Sequence, residues 1–446
     1  MRLADLATDI LQQAQRFGAD AGDVIVTAGE SFSTSVRLGK VEKILNSQEK
    51  RLGLRLFVGK SSAITSTANF SRNALSSLVE ETITLAKATA PDEFSGLPAS
   101  AELAKNQPDL DLADTNAAFS TEEKIALAKE AEASALQADP RIINSEGGDF
   151  SNSFRDILYA NTLGFIGQYS TTSYSLSAVP VASQNGSMQR DYWYSSHRKM
   201  QRLEPASTVG KKAAERTLRR LGARRVKTQE APVVFDPDMA ASLLRHLAAA
   251  ITGSSLYRKT SFLLDKIGEK IAASGVWIDD DALIPSALGS KPFDAEGLPT
   301  RRTPLIENGV LISYLLDAYS ARKLGMQSTG SAARSFADAP TASPTNFFLK
   351  PGTTPPEEII RSVHSGLYVT ELSGFGVNPV TGDYSRGAVG LWIENGELAY
   401  PVEEITIASN LLDMFKTIEV IGNDLELRGT IAAPTLKIAR MTIAGE

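Results

Sequence analysis

The chain has 446 residues, 42% of them hydrophobic and 22% charged, with a formal net charge of −6. That length predicts two domains, and the acidic balance gives no general attraction to nucleic acid or to an anionic membrane. There is no cysteine, so disulfides, iron–sulfur clusters, thiolate zinc sites and cysteine nucleophiles are excluded.

Residues 3–17 place Leu6, Ile10, Leu11 and Ala14 at helical spacing. This opening helix contains acids and no apolar h-region, which argues against a secretory signal. No run approaches ~18 uninterrupted apolar residues, so no bilayer-crossing span is expected. The expectation is a cytoplasmic protein. The stretches "DVIVTAG" and "FSTSVRLGKVEKI" read as paired strands, followed by strands in "KRLGLRLFVG" and "SSAITSTANFS". Gly53 and Gly59 interrupt them as bulge or turn signals. Residues 71–88 return to helical period, with Leu75, Leu78, Val79 and Leu85 on one face.

Residues 89–118 are rich in Pro, Asp and Ala and read as a loose connection. Ser120 then opens a helix with a capping box, its Glu123 standing three residues on. Alternating residues in "YSTTSYSLSAVPVA" predict a half-exposed antiparallel sheet. A basic helix over 206–221 leads into a linker, "GARRVKTQEAP". The expected boundary lies near residue 228. It separates an N-terminal domain, 1–228, of mixed helices and antiparallel sheet from a C-terminal domain, 229–446. The second domain is expected to be mostly antiparallel β with one apolar helix, so the fold class is α+β. Two Asn-Gly turns, Asn308-Gly309 and Asn395-Gly396, sit between apolar runs and predict tight hairpins, because both central residues need positive φ.

Five stretches carry residue types that bear on chemistry. His197, His246 and His364 each stand alone, whereas a zinc helix needs two ligands about one turn apart. "WIDDDAL" offers Asp279, Asp280 and Asp281, but lacks the glycine and the spaced glutamate of a calcium loop, and reads as a solvated turn. "RDYWYSSHRKMQR" and "KKAAERTLRRLGARRVK" interleave cations with aromatics. That pattern fits single-stranded nucleic acid or a partner-protein surface, or an exposed strand and a basic helix face. "GSSLYRKTS" contains the residue types of a Ser-Lys dyad. "SGFGVNPVTGDYSRGAVG" is either a binding loop or a hairpin with bulges.

Taken together, "LYRKTSFLLDKIGEKI", "GLYVTELSGFGVNPVTGDYSRGAVGLWIENGELAYPVEEITIASNLLDMF" and "IEVIGNDL" closely resemble the TldD/PmbA family. "GADAGDVIVTAGESFSTSVRLGKVEKI" fits the same family, and "TGDYSRGA" and "YRKTSFLLD" point to its PmbA (TldE) branch. In that family the TldD type carries an H-E-x-x-x-H helix and a later cysteine that hold a zinc ion for peptide hydrolysis. Aligned on Gly253 and Arg258, those motif positions fall on Leu244, Arg245 and Ala249. Leucine and alanine offer no lone pair to a metal, and arginine is permanently cationic. The resemblance therefore implies no catalytic residue and no metal in this chain. It implies a heterodimer with a TldD-type subunit that holds the zinc, a shared chamber, and unfolded peptides as substrates. Tyr257, Arg258, Asn378, Asp383, Tyr384, Ser385 and Arg386 are the candidate peptide- or chamber-facing residues. A homodimer is an option when no partner is present. Family members are associated with microcin maturation, antitoxin degradation and modulation of DNA gyrase. The alternative reading is a protein that binds gyrase or nucleic acid directly through the region from Arg190 to Lys227.

Overall fold

A computed structural model describes residues 2–115 and 119–445. Part of the loose connection expected over 89–118 thus lies outside the described residues. The opening helix runs Leu3–Arg16 and buries Leu6, Ile10, Leu11 and Ala14. After it come two long strands, Ala21–Arg37 and Lys40–Val58, joined at Leu38 and Gly39. Both turn residues have positive φ, 49° and 74°, the geometry a two-residue hairpin demands.

The sequence pattern divides this region into four shorter strands. The structure instead runs two strands of 17 and 19 residues, followed by Ser61–Thr67. Gly53 does not break its strand, because the ladder to the first strand continues through it. It is the residue against which the backbone of Phe336 packs, where a Cβ would collide. Close approach, not a bend, is its role.

Ile142–Asn161 and Ile166–Gln184 complete the long antiparallel strands. The sheet order is 61–67, 40–58, 21–37, 142–161, 166–184, 187–190, and 193–197 also pairs with 166–184. Helices cover one face of the sheet except over residues 40–51, which are exposed. Leu3–Arg16 and Arg72–Ala88 pack on Val24, Val26, Leu52, Leu54 and Leu56. Thr121–Leu136 and Ala206–Leu218 pack on Phe32, Val36, Phe150 and Leu176. Ser120 accepts from Glu123 N and Glu123 reaches back, so the expected capping box forms. Leu85, expected on the buried face, is 50% exposed instead. The face is set by Leu75, Leu78, Val79, Ile83 and Ala86, and Leu85 lies two positions from Ile83, which turns it away.

The second half is a mixed β structure. Gln229–Phe235 pairs parallel with Ser365–Ser373 and antiparallel with Leu436–Ala444. Asp383–Glu394 and Glu397–Asn410 continue the order, and the last of these pairs back onto Leu436–Ala444. Five strands thereby close on themselves, which removes the open edge. Helix Pro237–Ala250 packs Leu243, Leu244 and Leu247 into the associated core. Asp236 caps it by accepting from Met239 N at 2.9 Å. Both Asn-Gly turns form, with φ of 48° and 83° at Asn308-Gly309 and 51° and 83° at Asn395-Gly396. The architecture is α+β, as the sequence predicts.

The aspartate run is not a solvated turn. Ile278–Asp281 is a strand, and Asp279 and Asp280 are 1% and 2% exposed. Asp279 pairs with Arg302 at 2.7 Å and Lys350 at 3.1 Å. Asp280 accepts from Thr345 N and Oγ1 at 2.7 and 2.9 Å. Partners distant in sequence make its burial tolerable.

The two halves are clasped by buried charge. Asp23, fully buried on the first strand, receives the guanidinium of Arg55 from the next strand and that of Arg334 from the second half. Tyr159 Oη donates to it at 3.3 Å. Burial alone would raise the Asp23 pKa; Arg334 and Arg55 outweigh it and hold the carboxyl below its usual range. Beside them Glu296 lies 3.9 Å from Arg55. Burial, with Asp294 and Asp317 nearby, pushes Glu296 up to about 8 against the pull of Arg55.

Two outcomes are expected. Asp23→Ala strands two buried guanidiniums and costs about 3–5 kcal/mol, read as a drop in the urea midpoint at constant slope. Glu296 takes up a proton on folding at pH values between 4.5 and about 8, so its contribution to stability falls as pH rises through that window. Glu296→Gln removes this term, and urea titrations at pH 5, 6.5 and 8 should show the variant gaining on the wild type as pH rises.

Candidate functional site

Helix Pro237–Ala250 leads through Thr252 into a short helix, Gly253–Tyr257. Its exposed side borders a cavity of about 430 Å³ lined by His246, Ala249, Phe262, Phe375, Arg386 and Leu411, among others. Glycine-rich residues 374–382 form its rim, between strands Ser365–Ser373 and Asp383–Glu394. The segment is thus the loop of a hairpin that also walls a cavity. Phe375 at the rim is fully exposed.

Strand alternation sorts the candidate residues here. Tyr384 and Arg386 face the helix, and Ser385 between them is exposed on the opposite side. The Tyr384 ring meets His246 edge-on, with centroids 6.1 Å apart. Burial raises the Tyr384 pKa. Burial, then Arg386 and Arg245, lower that of His246, so the imidazole is neutral at pH 7. Arg386 donates to Leu372 O at 3.3 Å, Ser373 O at 3.4 Å and Ser242 Oγ at 3.4 Å. All three bonds are long, and among the described residues no carboxylate pairs with it. Asn378 and Asp383 are spent on the loop itself. Asn378 Oδ1 accepts from Val380 N at 3.0 Å, and Asp383 accepts from Thr381 Oγ1 at 2.6 Å.

Tyr257 and Arg258 belong to a different cleft of about 380 Å³, shared with Asp92, Asp317, Tyr319 and Arg322. There Tyr257 packs edge-on against Tyr319 at 5.8 Å, with the Lys323 ammonium over both rings. The sequence grouped these residues with 378–386; the structure divides them, for Ser254, Tyr257 and Arg258 line one cleft while Phe262 and Arg386 line the other. The Ser-Lys dyad does not assemble in this segment. Ser255 Oγ donates to Ala249 O at 2.8 Å, and Lys259 points to solvent in a left-handed turn with φ of 57°.

The three motif positions do not share a face. Leu244 is 1% exposed in the barrel core, Arg245 is exposed, and Ala249 lines the cavity. Five residues advance a helix by about 500°, which leaves the first and last positions ~140° apart. The polar groups lining the cavity are therefore the His246 imidazole and the Arg386 guanidinium, the rest of the lining being apolar or glycine, and the exposed Arg245 stands one turn before Ala249. A divalent cation needs several neutral or anionic donors, and this set does not fit one. Among the described residues no group of three or more His, Cys, Asp or Glu side chains is placed to hold a metal.

A larger cavity, about 580 Å³, was not legible in the sequence. It lies between the uncovered sheet face and the second half, lined by Arg155, Tyr159, Tyr169, Lys291, Phe293 and Arg334, among others. Its residues come from strands and loops more than a hundred positions apart, so no local spacing betrays it.

Sequence profiles of the PmbA/TldA metallopeptidase match three stretches: domain 1 over residues 22–86, the central domain over 114–221 and the C-terminal domain over 228–445. The chain is 40% identical to metalloprotease PmbA of Escherichia coli O157:H7 over 96% of its own length and 93% of that protein's. It is 38% identical to the PmbA homologue of Haemophilus influenzae over 98% and 94%. A Bacteroides thetaiotaomicron crystal structure, provisionally named a modulator of DNA gyrase, superposes with a TM-score of 0.93 at 30% identity, covering 99% of each chain. TldE from Thermococcus kodakarensis shares the fold, with a TM-score of 0.88 at 21% identity over 99% and 100% of the two chains.

Elemental analysis after dialysis should find the purified chain well below one zinc per molecule. One equivalent of zinc that disappears in His246→Ala would contradict the reading of the cavity.

Proposed function

The chain belongs to the PmbA/TldD metallopeptidase family, and from that premise we propose that it is the non-catalytic subunit of a TldD/TldE-type zinc protease. In this reading a TldD-type partner carries the zinc. The chain described here completes a chamber and helps admit unfolded peptides. The observation that carries it is the cavity beside His246, which keeps a binding shape and lacks a donor set for a metal.

The cavity chemistry suits an extended peptide. Phe262, Phe375 and Leu411 offer apolar contact to a side chain. Arg386, held by three long bonds to neutral acceptors, retains the capacity to donate to a peptide carbonyl or carboxylate. Unfolded chains present both groups; folded ones hide them.

The gyrase or nucleic-acid reading has less support. Much of the basic block from Arg190 to Lys227 is spent within the protein. Arg198 donates to the carbonyls of Ala287, Leu288 and Thr172. Arg216 pairs with Asp191 and Asp236, Arg220 with Glu371, and Arg225 with Glu404. Trp193 is flanked by Lys212, Arg216 and Arg428, which leaves little of its ring to stack on a base.

Peptide cleavage should be absent from the purified chain and appear, zinc-dependent, when a TldD-type subunit is added. Zinc-dependent cleavage by the chain alone would sink the proposal. In the mixture, Arg386→Ala should raise KM about tenfold or more with kcat little changed, since a hydrogen bond to a charged group contributes ~1.5–3 kcal/mol. An unchanged KM would remove Arg386 from the peptide path.

A further inference from the structure

Strand Lys40–Val58 is paired along its whole length on one side only. On the other side, among the described residues, Ser61–Thr67 covers Leu52 to Val58 and no more. Residues 40–51 therefore present an open sheet edge, and every side chain in that run is exposed. Val41, Ile44 and Leu45 are 39%, 47% and 50% exposed. Such an edge is a template for another strand.

We propose that this edge pairs antiparallel with the same edge of a second copy of the chain, centred on Asn46. Two independent features select that partner and that register. The first is length. The open run ends at the Leu38-Gly39 turn on one side and opposite Thr67 on the other. A strand paired about Asn46 places Val41 opposite Arg51 of the second copy and fills the gap without meeting Ser61–Thr67. The second feature is charge. About Asn46, Glu42 faces Lys50 and Lys43 faces Glu49, and the two-fold repeats both pairs. Directly opposite unlike charges stabilise a strand pair. A symmetric antiparallel pair must set a residue opposite its own copy, because its two halves alternate identically between bonded and non-bonded positions. Moving the centre to residue 45 sets Lys40 against Lys50. A centre at 47 sets Lys43 against Arg51. Among the described residues the competing contacts are weak and exposed: the ion pairs Arg37–Glu42 at 4.0 Å and Arg51–Glu49 at 3.9 Å, and Lys50 Nζ 5.6 Å from the Phe70 ring centroid.

The pairing also has a place in the fold. Ser47, Glu49 and Arg51 border the 580 Å³ cavity, so joining two copies along this edge brings their two cavities to one continuous sheet. This inference concerns the chain's self-association and stands apart from the assignment of a zinc-bearing partner.

The absence of cysteine gives a direct test. Residues directly opposite in an antiparallel pair have Cα atoms about 4.5–5.5 Å apart, inside the range a disulfide spans. Under mild oxidation of the full chain, Asn46→Cys should give a cross-linked dimer, and Lys43→Cys, which faces residue 49, should not. In sedimentation velocity the wild type should be dimeric. Lys43→Glu should weaken the dimer at least tenfold, and Lys43→Glu with Glu49→Lys should restore it. A monomeric wild type overturns the proposal. So does equal cross-linking at 43 and 46, a dimer indifferent to Lys43→Glu, or an edge that accepts an added peptide or a TldD-type subunit but not its own copy.

Discussion

The structure depends on one buried carboxylate. Asp23 stands on the sheet face that the helices leave bare, and only the second half of the chain covers it. Two guanidiniums, one from each half, neutralise it. A charge in that position is tolerable only while both halves are docked, so the clasp couples the fold of the sheet to the seating of the barrel. Arg322, donating to the carbonyls of Phe94, Gly96 and Leu97, and Arg198, donating to Ala287 and Leu288, repeat the device at other points of the same seam. The large cavity is the space that this seam encloses.

Arginine used in this way changes how the surface reads. A basic block that looks available in the sequence is largely consumed by carboxylates and carbonyls across the seam. Arg386 differs from those residues. It sits at the rim of an apolar cavity, holds only weak neutral acceptors, and faces a neutral imidazole. Cation and apolar wall together are the features on which the proposed peptide path rests.

Much of the fold was legible because it follows local rules. The Ser120 capping box, the Asn308-Gly309 and Asn395-Gly396 hairpins and the periodic helices each declare themselves within a few residues. What was hidden depends on partners far away. Asp279 and Asp280 look solvated until Arg302, Lys350 and Thr345 arrive. Gly53 looks like a break until Phe336 packs against it. The candidate site was legible only in part. Family resemblance drew attention to helix Pro237–Ala250, but helical geometry sends Leu244 into the core and places His246, Ala249 and Arg386 along one cavity. Tyr257 and Arg258, close in sequence to that helix, are carried into another cleft by a single helical turn.

The central claim is that this chain shapes a peptide-binding cavity and leaves the metal to another subunit. Anomalous diffraction at the zinc edge, from crystals of the chain together with a TldD-type subunit, tests it most directly. The account predicts a zinc peak in the partner and none within bonding distance of His246. A zinc peak on His246 would contradict it.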